Sequence, residues 1–209
     1  MFAIVSPEKI QLPPGAVLRM PATWQEYQSL CQQRGDSSIP RLKYRDGEVL
    51  LMSPLPKHGR DASLIADIIK ALLDAKQLEY DSFTPVTMEL PEESGIESDY
   101  CFYIENWQAV SGKERIDWRI DSPPDLVLEI DVTSYSDVND YLPYCVPEVW
   151  LFHKQLAIYH LTSTQYSLQS HSRYFPKIDL QALILQYQQI AYERNTSAAI
   201  RQLRQALSQ

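Results

Sequence analysis

Residues 125–132 of this chain read Asp-Leu-Val-Leu-Glu-Ile-Asp-Val. Leu126, Leu128, Ile130 and Val132 alternate with Asp125, Val127, Glu129 and Asp131, the pattern of a β-strand with one apolar face. Alternate residues of a strand share a face, so Glu129 and Asp131 project together, with α-carbons about 6.5–7 Å apart. Two like charges at close range repel by roughly 1–4 kcal/mol at effective dielectrics between those of water and a protein surface. Either that face is half exposed and wet, or a cation sits between the acids. Asp99 opens a second strand-like segment, Asp99-Tyr100-Cys101-Phe102-Tyr103-Ile104. If the two strands are neighbours, Asp99, Glu129 and Asp131 converge at one sheet edge. Two carboxylates with waters and a phosphate oxygen are a common way to hold Mg²⁺. Such an ion polarises a phosphate and lowers the pKa of an attacking water. From two acids alone, a carboxylate-dyad enzyme such as a glycosidase is open as well.

The elements that must position these acids can be read from pattern. Short strands are expected at residues 3–5 and 17–20. Thr23 with Glu26 three residues on forms a capping box for a helix that Gly35 ends. Residues 42–44 and 49–52 flank an Asp46-Gly47 turn and predict a hairpin. Leu64, Ile65, Ile68, Ile69, Leu72 and Leu73 predict a helix over 60–76. Strands follow at 78–80, 85–90, 99–104 and 125–132, and a meander at 149–152, 156–161 and 166–168. Residues 179–207 read as one long helix, with Arg194, Arg201 and Arg204 toward its far end, where they suit the helix dipole. Helices and strands in this order predict an α/β (α+β) domain centred on a sheet.

At 209 residues the chain is expected to form a single domain, 1–209. No stretch reaches the ~20 apolar residues of a membrane helix, and the start lacks the basic head and apolar run of a secretory signal. Cys31, Cys101 and Cys145 are odd in number and form no Cys-x-x-Cys pair, which disfavours a disulfide framework or zinc ribbon. These features predict a cytoplasmic protein. The net charge of −8 disfavours tight binding of nucleic acid over a broad basic surface. A bound cation can still supply local positive charge for a polyanion. No basic groove is evident. Residues 79–105 carry eight acidic residues and no Lys or Arg, and Glu92, Glu93 and Glu97 read as a solvated loop.

Taken together, Thr23-Trp24-Gln25-Glu26-Tyr27, Tyr44-Arg45-Asp46-Gly47, Leu51-Met52-Ser53-Pro54, Pro56-Lys57-His58, the segments from Asp99 to Ile104 and from Pro124 to Val132, and Val146-Pro147-Glu148-Val149-Trp150 are similar, in order, to the Uma-type putative restriction endonucleases. These are proteins of unknown biological role, greatly multiplied in cyanobacteria. The resemblance covers about residues 20–175, a nuclease-like core, and leaves 176–209 as a C-terminal helix. It implies the PD-(D/E)XK nuclease fold, a mixed central sheet flanked by helices, often dimeric, and Mg²⁺-dependent (or Mn²⁺-dependent) hydrolysis of DNA phosphodiester bonds. Position by position, it makes Asp99 a metal ligand and Glu129 the acid of the second half-motif. Asp131 falls where many members have a lysine, and becomes a third ligand or water-positioning group. All three are thus the expected catalytic and metal-binding residues.

The chain also departs from the pattern. A lysine expected further on would fall at Tyr135 or Asp140, and Lys43 stands where members with an early glutamate carry it. Gly59 replaces a glutamate, Ser98 replaces a proline, the segment 134–145 is short, and the glycine before Val146 is absent. General base work is typically worth ~10²–10⁴ in rate, so these changes predict a slowed enzyme. The alternative is a catalytically degenerate member serving as a binding or dimerisation module. Lys57, His58 and Lys113 are the residues that could reach the site from other elements.

Overall fold

The computed structural model describes residues 12–35, 37, 39–131 and 136–208. The strand expected at 3–5 lies outside them. Thr23 caps α1 (Trp24–Arg34), its hydroxyl accepting from the Glu26 amide while the Glu26 carboxylate accepts from the Thr23 amide. The Asp46-Gly47 turn joins β2 (Arg41–Arg45) to β3 (Glu48–Met52), with both turn residues at positive φ. β1 (Val17–Pro21) flanks β3 on its other side. Alternation in β2 then decides its two faces. Leu42 and Tyr44 are buried with Val49 and Leu51 against Trp24, Tyr27 and Leu30 of α1. Arg41, Lys43 and Arg45 share the opposite face.

The first sheet is completed by β5 (Val86–Leu90) and β6 (Ser94–Ser98), in the order β1-β3-β2-β6-β5. β6 was not foreseen, because Ser94, Gly95, Glu97 and Ser98 mask its pattern. Glu97, expected in a solvated loop, is a partly buried strand residue whose carboxylate pairs with Arg34 and accepts from the Leu42 amide.

The second sheet contains β4 (Asp81–Phe83), β7 (Tyr100–Tyr103), β8 (Leu126–Ile130), β9 (Glu148–Phe152), β10 (Leu156–Leu161) and β11 (Tyr166–Gln169), in the order β11-β10-β9-β8-β7-β4. It is mixed: β8 and β9 run parallel and the other pairs antiparallel. The segment 78–80 packs beside β4 rather than forming a strand. Short helical turns occupy α3 (Trp107–Val110) and a 3-10 helix at Val138–Tyr144.

Helix α2 (Pro56–Ala75) begins four residues before the expected start at residue 60, because Pro56 suits the first helical position. Its buried face lies on Leu126, Leu128 and Ile130. The expected single C-terminal helix is two, α4 (Leu180–Glu193) and α5 (Thr196–Leu207). Asn195 sits between them in extended geometry and its side chain accepts from the Ala198 amide, so it caps α5 instead of continuing α4. Both helices pack with α2 on one face of the second sheet. The other face holds a core of Cys101, Tyr103, Val127, Val149, Tyr141 and Tyr144. β8 is therefore buried on both sides, and its acid is too. Among the described residues, no helix is long and apolar enough to cross a membrane.

Candidate active site

Strand β7 pairs antiparallel with β8 in the register Tyr100–Leu128. One residue further along that register, Asp99 falls opposite Glu129. The two strands are indeed neighbours, and the two acids face each other across them. Both are buried. Burying two like charges side by side is costly unless each finds compensation, and the fold supplies it from four elements.

Asp99 is fully engaged. Its Oδ1 contacts His58 Nε2 at 2.7 Å and accepts from Arg41 Nη1 at 2.5 Å, while Oδ2 accepts from the Ile130 amide at 2.7 Å. His58 comes from the first turn of α2 and Arg41 from the start of β2, so the site lies where the two sheets and α2 meet. Burial works against the charged carboxylate, but the hydrogen bond from His58 and the Arg41 guanidinium hold its pKa below the ordinary value. Glu129 is treated differently. Its Oε1 accepts from Ser136 Oγ at 3.1 Å and its Oε2 from Tyr141 Oη at 3.0 Å. Burial, and then the neighbouring Asp99 charge, push its pKa up to about 7, against the opposing pull of Arg41 and Tyr141. One acid is thus held charged while the other is poised to exchange a proton near neutrality.

Asp131 follows β8, with its amide donating to Phe152 O and its carbonyl accepting from His153 Nδ1. Asp99 and Glu129 meet, but no group of three or more His, Cys, Asp or Glu arranged to hold a metal ion occurs among the described residues. Asp125 shares the strand face and serves the backbone: its carboxylate accepts from the amides of Ile104, Glu105 and Asn106. Of the residues that could reach the site, His58 does so. Lys57 pairs with Asp61 and Lys113 with Asp121.

Two cations escaped the sequence reading. Arg41 and Lys43, alternate residues of β2, line a cavity of about 40 Å³ with Glu129, Ser136, Asp140 and Tyr141. Lys43 and Asp140 also line an adjoining cleft of about 310 Å³, with Arg19, Arg45 and Asp137. The Arg-Leu-Lys-Tyr-Arg alternation carried the signal: any strand places those three cations on one face. Lys43 and Asp140 are paired with each other.

A family model described as Uma2, putative restriction endonuclease, matches residues 24–192. The chain belongs to this family. The Uma2 chain also resembles in fold the crystal structure of a putative nuclease belonging to DUF820 from Anabaena variabilis ATCC 29413. The TM-score is 0.52 at 16% identity, covering 78% of this chain and 99% of that one. No curated protein matches. In this Uma2 protein Asp99 and Glu129 form a two-carboxylate donor set in which Asp99 is held by three partners and Glu129 lines a water-sized cavity. These residues fit a divalent ion completed by water, not a three-acid cage, and Arg41 already supplies positive charge at that place.

Proposed function

We propose that this protein is a nuclease that hydrolyses DNA phosphodiester bonds, with Asp99 and Glu129 as its acidic pair and Mg²⁺ or Mn²⁺ as its cofactor. The observation that supports the reading is the meeting of these two acids across β7 and β8 in a chain of the Uma2 family. The ion, held by Asp99 and Glu129, would polarise the scissile phosphate and acidify a bound water. Around it, this chain's own residues have distinct tasks. His58 and the Ile130 amide fix the Asp99 carboxylate. Ser136 and Tyr141 orient the Glu129 carboxylate through their hydroxyls. Lys43 brings an ammonium to the pocket wall from β2, where the segment after β8 offers Asp140 instead of a lysine. Asp131 enters the proposal as a water-positioning group. The reading extends to a homodimer in the cytoplasm.

A second reading, a nuclease fold that binds without turnover, is favoured by one observation: Arg41 already neutralises Asp99. Incubation with supercoiled plasmid and Mg²⁺ or Mn²⁺ separates the two. The first expects nicking by the natural chain and its loss in both Asp99→Asn and Glu129→Gln. Nicking that persists in both variants places the activity elsewhere, and none in any metal leaves the binding reading. Sedimentation of the same sample tests the dimer.

A further inference from the structure

Arg41 is the least expected member of this site. Its side chain is 16% exposed and its guanidinium is tied to the fully buried Asp99 carboxylate. Burial alone would weaken the charged guanidinium, yet the Asp99 and Glu129 charges hold its pKa above the ordinary value. The guanidinium is thus an internal counter-cation paired with Asp99, beside a cavity that Arg41 and Glu129 both line. A second, doubly positive charge added beside it meets strong repulsion in a poorly screened site. A guanidinium and a divalent ion together carry three positive charges, more than the two carboxylates can compensate. A second carboxylate lies on the wall of the cavity that Arg41 lines: Glu97, which is paired with Arg34.

From this arrangement we infer that the Arg41 guanidinium and a divalent cation are alternative occupants of the Asp99–Glu129 pair, so that Arg41 holds the site closed until it withdraws toward Glu97. The inference rests on the reading of that pair as a cation site, and it concerns loading, not cleavage. It makes Arg41 a positioning residue that sets how readily the acids become available.

The test uses the full chain at pH 8 without DNA, so its outcome is independent of whether the protein cleaves anything. Mn²⁺ is titrated in and the free aqueous ion is read by electron paramagnetic resonance. Arg41→Met is expected to bind one Mn²⁺ at least tenfold more tightly than the natural chain, and Arg41→Met with Glu129→Gln is expected to lose that binding. Equal or weaker binding by Arg41→Met overturns the inference, as does binding that survives the second change. A companion measurement needs no variant to fold. In the natural chain the ion-paired Arg41 guanidinium should give a distinct ¹⁵N-bound proton signal, and saturating Mg²⁺ should shift or broaden it. An Arg41 signal unmoved by saturating Mg²⁺ rejects alternative occupancy.

Discussion

Lys43 and Asp140, 97 residues apart in the chain, are ion-paired at the wall shared by the Glu129 cavity and the outer cleft. Asp140 is the hub of this contact. Its side chain is 5% exposed, it also accepts from Arg45 Nη1 at 2.7 Å, and it receives the Asp137 amide at 3.1 Å. It thereby ties β2 of one sheet to the 3-10 helix that follows β8 of the other.

Removing the hub and removing a spoke should therefore differ. Asp140→Ala leaves two cations facing a buried gap and is expected to destabilise by about 2–4 kcal/mol, near the cost of breaking a buried pair. Lys43→Met leaves Arg45 in place and is expected to cost about 1 kcal/mol, closer to a partly exposed pair. Urea unfolding of both single variants and the double variant gives the coupling. A coupling within error of zero would mean the contact is incidental.

Glu129 makes stability depend on pH in a definite direction. Its pKa rises from 4.5 to about 7 on folding, so the folded state holds the proton more tightly. Stability from this group is full below about pH 4.5 and is lost as pH rises through 7. Glu129→Gln removes that loss and is expected to be more stable than the natural chain at pH 8 by about 3 kcal/mol, from about two and a half pKa units. At pH 5 the two should nearly coincide. Asp99 acts oppositely: its lowered pKa contributes stability above the ordinary value of 3.8 that disappears in stronger acid. Unfolding midpoints at pH 5 and 8 check the sign.

Cys145 occupies the left-handed region at φ 54°, ψ 36°, where it ends the 3-10 helix before Val146. Glycine reaches that conformation without the Cβ penalty. The position is exposed, so no packing is lost, and Cys145→Gly should stabilise by about 0.5–1 kcal/mol after the added unfolded-state entropy is counted. A fall in the melting temperature would show that the thiol has a role of its own.

Gly95 offers the reverse case. A Cβ there would lie 2.4 Å from Tyr27 Oη, on a ring that is fully buried against Trp24 and Tyr44. Tyr27 cannot move aside without disturbing its hydrogen bond to Glu89. Gly95→Ala should cost about 2–3 kcal/mol by overpacking, read as a lower urea midpoint with an unchanged slope. Tyr27→Phe in the same background should recover part of it.

What could be read from the chain was local. The capping box at Thr23, the Asp46-Gly47 hairpin, the apolar face of α2 and the outer meander all rest on contacts between residues close in sequence. So does the alternation that places Glu129 on one side of β8. β6 was missed because Ser94, Gly95, Glu97 and Ser98 hide its alternation even though it pairs with the neighbouring β5, and the break at Asn195 because a single cap interrupts no periodicity. The family, too, was legible from the order of short motifs.

The site itself was decided only in three dimensions. Asp99 and Glu129 were recognisable as acids on strands, but their meeting depends on the β7–β8 register. Arg41 reaches Asp99 across 58 residues and His58 across 41, distances over which no sequence periodicity operates. Residue type and spacing determine what a side chain can do and which face it occupies. Whether that face is buried, and which charge stands opposite, is set by how separate elements pack. Here that packing set a carboxylate held by three partners beside a second buried acid, with a guanidinium paired to the first.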